Sequence, residues 1–81
     1  MSSEHNLNKL AWRARRGTKE LDSILQGFLN THFAELAPQQ QSQFALLLEQ
    51  SDPDIVDWMN GVLVPEDEGL VEIIALINER V

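Results

Sequence analysis

"LNKLAWRARRGTKELDSILQGF", residues 7–28, decides how this chain folds. Its first half places Leu7, Leu10, Ala11 and Ala14 at i, i+3, i+4 and i+7, the apolar face of a short helix that should end near Arg16. Gly17 then suits the left-handed residue that commonly follows a helix, because it has no Cβ to clash there. Arg15 and Arg16 in the last turn suit the negative end of the helix dipole. Thr18 stands where an N-cap belongs, and Glu20 and Asp22 fall in the first turn of a second helix, where anions are favoured. Leu21, Ile24, Leu25, Phe28, His32 and Leu36 carry that helix onward as one apolar stripe.

Pro38 fits the first position of a third helix, behind Ala37 where a polar cap is usual, and Phe44, Leu47 and Leu48 face inward. The run "QQQSQ" at 39–43 reads as that helix's solvated side. "SDPD" at 51–54 starts a fourth helix, with Ser51 or Asp52 as cap and Pro53 at the first helical position. Its stripe is Ile55, Trp58, Met59 and Val62, and Gly61 ends it. "VPEDEG" makes a turn and an acidic helix start, after which Leu70, Ile73, Ile74, Ile77 and Val81 recur at the same spacing. No stretch alternates as a strand. The expectation is an all-α, compact five-helix bundle, one small domain over residues 1–81 with residues 1–5 as a flexible N-terminus.

Five of the six Lys and Arg residues lie between Lys9 and Lys19, so residues 1–19, with one acid, carry +4. Residues 20–81 hold twelve acids and Arg80, a balance of −11, and the whole chain is at −7. A polyanion is repelled at long range by such a chain, which disfavours general nucleic-acid binding and leaves a locally basic first helix as the alternative reading. The 81 residues contain no Cys, which excludes disulfides, thiolate metal sites and thiol nucleophiles and fits a reducing compartment. "MSSEHNLNK" has no apolar leader segment and no apolar run reaches the length of a membrane span, so a cytoplasmic protein is expected. His5 and His32 have no spaced acid and nucleophile around them, and His32, on the inward stripe, reads as a satisfied core residue. Asp52, Asp54 and Asp57 are spaced like part of a calcium loop, but Asp57 holds the sixth place, where glycine is needed, and Leu63 the twelfth, where glutamate is. No metal and no catalytic residue is expected.

What remains is a surface. At 100° per residue, Trp12 and Arg16 fall opposite the apolar stripe of the first helix, one turn apart. Exposed tryptophan beside guanidinium groups is the composition of a protein-interface anchor; the alternative is that Trp12 packs over another helix, since a five-helix bundle can bury two sides of one helix. If Gly17 turns the chain tightly, Arg16 and Glu20 present their heads on one surface. The bland reading of that corner is a surface ion pair worth about 0–1 kcal/mol.

"LAWRARRGTKELD" resembles the signature of the SdhE family of flavinylation factors, also called succinate dehydrogenase assembly factor 2, whose hallmark Arg-Gly-x-x-Glu here is Arg16, Gly17, Thr18, Lys19 and Glu20. The likeness runs on through "LDSILQGFL", "FALLLEQSDPDIVDWMNG" and the closing helix, in family order. It implies a five-helix assembly factor, not an enzyme, that binds the flavoprotein subunit of succinate dehydrogenase, and often that of fumarate reductase, and promotes covalent attachment of FAD to a histidine. FAD would belong to the client, with no cofactor held permanently here and a monomer as the working form. Arg16, Gly17 and Glu20 are then the client-binding motif, joined on the exposure argument by Trp12, Arg13 and Arg15. Asp52, Pro53, Asp54 and Trp58 read as structural: cap, helix start and core aromatic.

Overall fold

The computed structural model describes residues 7–80; the N-terminal arm expected at residues 1–5, His5 within it, and the last apolar position, Val81, lie outside them. Five α-helices follow one another: α1 (Leu7–Arg13), α2 (Lys19–His32), α3 (Pro38–Leu47), α4 (Asp52–Met59) and α5 (Glu68–Arg80), with a 3₁₀ turn (Phe33–Glu35) after α2. No strand occurs among the described residues, and the all-α expectation holds. The radius of gyration, 11.8 Å, is that of a chain of this length folded on one core, for which about 12 Å is typical.

The apolar stripes meet around α3 and α5. Phe44, Leu25, Leu47, Ile55, Ile73 and Ile77 are the largest fully enclosed side chains. The Phe44 ring sits at the centre, 5.3 Å from that of Phe28 and 5.8 Å from that of Phe33, both tilted as the ring quadrupoles favour. Leu29 and Phe33, which the stripe of α2 did not include, are buried as well. Leu29 lies beside Leu25 and Phe28 within α2, whereas Phe33 belongs to the 3₁₀ turn, whose tighter winding accompanies a buried Phe33 and a half-buried Leu36. His32 stacks on Phe28 at 5.4 Å, yet its Nδ1 is buried without a hydrogen-bond partner, so it is not the satisfied core histidine expected.

Two other stripes are narrower than their spacing suggests. In α1 and just after it, Leu10 and Ala14 are buried while Leu7 and Ala11 are exposed. Val62 is exposed because α4 has already ended. That end is a Schellman turn: Gly61, at φ 78°, donates its N–H to Trp58 O at 3.2 Å, and Val62 N–H reaches Asp57 O at 2.9 Å. The expected role of Gly61 is thus met in full. At the start of α5, Asp67 Oδ1 accepts from Gly69 N at 2.7 Å and Leu70 N at 3.3 Å, a side-chain cap.

The glutamines of α3 are more than a solvated side. Gln40 Oε1 accepts from Ala37 N at 2.9 Å, the half of a capping box that the third helical residue supplies, while alanine itself has no acceptor for the other half. Gln41 Nε2 reaches Phe33 O at 3.1 Å. Gln43 is buried and its Nε2 donates to Glu72 Oε1 at 2.9 Å, pinning α3 to α5. The helices come so close there that a Cβ on Gly69 would stand 3.2 Å from Gln43 Cγ.

Candidate functional site: a braced corner between α1 and α2

The link from α1 to α2 is built differently from a glycine-capped helix end. Helix α1 stops at Arg13, three residues earlier than the pattern suggested, and its last turn closes with Ala14 N–H on Leu10 O at 2.8 Å and Arg15 N–H on Trp12 O at 3.2 Å. Gly17 therefore lies well past the helix end. Its backbone is not left-handed, Gly61 alone having positive φ among the described residues. Thr18 does occupy the N-cap position of α2, but its side chain makes no cap bond. Asp22 reaches back instead, its Oδ1 accepting from Arg16 N at 2.7 Å and from Gln26 Nε2 at 2.7 Å.

Arg16 turns inward. Its side chain is only 11% exposed, and its guanidinium donates to Leu48 O, to Gln50 O at 3.0 Å and to Asp52 Oδ1 at 3.2 Å. Leu48 and Gln50 follow the last turn of α3, whose unpaired carbonyls form the negative end of that helix, so a buried cation is stabilised there. Asp52, in the first turn of α4, is favoured by the opposite pole of its own helix. Its second oxygen accepts from Gly17 N at 3.1 Å, so one carboxylate holds both residues of the Arg-Gly pair. The expectation that Arg16 shows its head beside Glu20 on a common surface is corrected: two carbonyls of the α3–α4 link and the Asp52 carboxylate at the start of α4 draw the guanidinium in.

The other predicted residues face out around this brace. Trp12 is 71% exposed, with the Arg15 guanidinium 5.3 Å over its ring, a cation–π contact that orients both. Arg13 pairs with Glu49 at 3.5 Å, with both side chains largely in solvent, a pair of little energetic weight. Gly17 and Glu20 are exposed. A Cβ on Gly17 would meet only Asp52 Oδ2, at 3.6 Å, an ordinary contact. The Glu20 carboxylate has no hydrogen bond or ion pair with another described residue. The corner therefore splits in two: Arg16 is a strut, while Trp12, Arg15, Gly17 and Glu20 form what it presents.

Sequence reasoning missed Asp22 and Asp52 as parts of the site. Asp22 was legible as a helix-start anion. For Asp52, a contact 36 positions away from Arg16 leaves no local periodic signal, and its carboxylate, read as a cap for α4, is spent on the corner.

Fold and site together define a small all-α module that presents one rigid inter-helix corner. Residues 8–81 match the family model described as "Flavinator of succinate dehydrogenase". The chain is 39% identical over 71 residues to the FAD assembly factor SdhE of Legionella pneumophila, covering 88% of this chain and 89% of that protein. With the FAD assembly factor SdhE of Pseudomonas aeruginosa it shares 36% over 81 residues, all of this chain and 96% of the relative. The corresponding protein of Coxiella burnetii is 37% identical over 71 residues, 88% and 87% of the two chains. The chain belongs to the SdhE family of succinate dehydrogenase flavinators. No helix among its described residues is long and apolar enough to cross a membrane.

Proposed function

We propose that this chain is an assembly factor, without an active site of its own, that binds the flavoprotein subunit of succinate dehydrogenase and promotes covalent attachment of FAD to a client histidine. The flavoprotein subunit of fumarate reductase is proposed as a second client, and the cytoplasm as the place of action, in keeping with a chain free of cysteine. The working form is a monomer. The observation that carries the reading is Gly17: exposed, not left-handed, and with no internal neighbour that forbids a side chain. A glycine without an internal requirement, braced by Asp52 beside an unpaired Glu20, suits close approach by another molecule's backbone.

Joining a flavin methyl carbon to an imidazole nitrogen would involve loss of a proton, addition of the neutral ring nitrogen and two-electron reoxidation of the flavin by an electron acceptor, so the reacting groups would belong to the client, its cofactor and that acceptor and not to this chain. The factor's part is to hold the client in the arrangement that aligns them. Alignment can supply several kcal/mol of a barrier, up to about 7–11 in favourable cases. Preferential binding to the competent conformer suffices, since about 5.5 kcal/mol of differential affinity moves an equilibrium from 1:99 to 99:1. In this scheme Trp12 is an apolar anchor, Arg13 and Arg15 flank it, Gly17 admits the client backbone and Glu20 accepts a hydrogen bond from it. Arg16 acts through the other residues by fixing where Gly17 and Glu20 stand.

The nucleic-acid alternative loses ground on the same geometry, because Arg16 is turned into the protein and Arg13 is paired with Glu49. In-gel flavin fluorescence of the denatured flavoprotein subunit, produced with and without this chain, tests the proposal. A fluorescent band that depends on the chain is expected; equal bands in both samples would remove the role.

A further inference from the structure

Beside Glu20, a groove of about 260 Å³ runs between α2 and α4. Leu21 and Ile24 form one wall and Val56 and Met59 the other, with Glu20 and Asn60 on the rim. Asn78 of α5 closes one end and is fixed there by its Nδ2 donating to Met59 O at 3.2 Å. We infer that this groove is a socket for one basic side chain of the flavoprotein client, whose aliphatic stem lies along the apolar walls and whose cationic head pairs with Glu20. The inference rests on the reading of the corner given above and adds to it the chemistry of what Glu20 recognises.

Three observations choose that occupant. The volume, about 260 Å³, at the small end of ligand sites, suits a single side chain. The walls are aliphatic while the rim carries one carboxylate with no partner among the described residues. A purely apolar occupant would cover that carboxylate without pairing it, which is costly, and an acidic one would be repelled. A side chain with a methylene stem and a charged tip satisfies both surfaces at once. Residues 20–81, which supply every wall of the groove except Thr18 at its edge, carry a net −11, so the surrounding field also attracts a cation.

Asn60 is exposed at the rim and makes the test. Asn60→Arg lays bulk and a competing cation across the groove and beside Glu20; Asn60→Ala leaves it open. Binding of the purified flavoprotein subunit should weaken about tenfold or more for Asn60→Arg and stay within about twofold for Asn60→Ala, a difference of at least roughly 1 kcal/mol. A benzophenone side chain at Asn60 in the otherwise unaltered protein reads the same contact without relying on loss of binding, and should crosslink to a client peptide containing lysine or arginine. If Asn60→Arg binds as the wild type does while Glu20→Ala is weakened, or if both Asn60 variants weaken alike, the socket is wrong and the corner stands. A crosslinked peptide without a basic residue overturns it too. If Glu20→Ala itself binds normally, the reading of the corner falls along with the socket.

Discussion

Arg16→Ala separates a strut from a contact. The substitution removes the donor from Leu48 O, Gln50 O and Asp52, in a place where the arginine side chain is 11% and the aspartate 25% exposed. Losing one member of a largely buried, hydrogen-bonded pair costs about 3–5 kcal/mol, because the acceptors left behind are desolvated and unpaired. Against a total stability of roughly 4–12 kcal/mol for a chain of this size, that is a large share. Thermal unfolding followed by circular dichroism should fall by at least about 12 °C, at roughly 4–8 °C per kcal/mol in a domain this small. Arg16→Lys should recover only part of the loss, since a point charge cannot serve three acceptors with the geometry of a planar fork. Glu20→Ala should melt like the wild type and lose flavinylation. An Arg16→Ala protein that melts normally but no longer supports flavinylation would falsify the strut and return the guanidinium to the client interface.

Three further expectations concern glycines, whose environments differ sharply. Gly17→Arg should shift the melting temperature by less than about 4 °C, the equivalent of ~1 kcal/mol, because its Cβ has room and its φ is not positive; flavinylation should drop to the level without the factor. Gly61→Ala should cost about 1–2 kcal/mol, seen as an earlier urea midpoint, since φ 78° is the conformation L-residues avoid. Gly27→Ala and Gly69→Ala should move in opposite directions. The first adds helix propensity in open space and gains roughly 0.5–1 kcal/mol. The second brings a Cβ to 3.0 Å from Asp67 Oδ1 and 3.2 Å from Gln43 Cγ, and a lower melting temperature checks it.

Helices α2, α4 and α5 were legible from a 3.6-residue apolar period, and the boundaries from distinct start and stop residues: Gly61 after α4, Pro38 at the head of α3, the acids at 66–68 before and at the start of α5. What the period could not show was where a helix gives way to tertiary forces. Helix α1 stops at Arg13, and the continuation of α2 becomes a 3₁₀ turn that buries Phe33, because the core rewards those geometries more than another helical turn does. Gln43 was unreadable for the same reason, since its partner Glu72 lies 29 residues away. The candidate site was half legible. The helical wheel turned Trp12 away from the stripe of α1 but left open whether another helix covers it, which the structure answers with an exposed ring; the inward turn of Arg16 depends on carbonyls from the α3–α4 link, which no spacing argument reaches.

The most direct measurement is the rate at which purified apo-flavoprotein subunit, mixed with FAD, acquires covalent flavin in the presence of wild-type chain or of Glu20→Ala matched for melting temperature. The account predicts fast attachment with the wild type and a rate for Glu20→Ala no better than the subunit alone. Equal rates for the two proteins would contradict it.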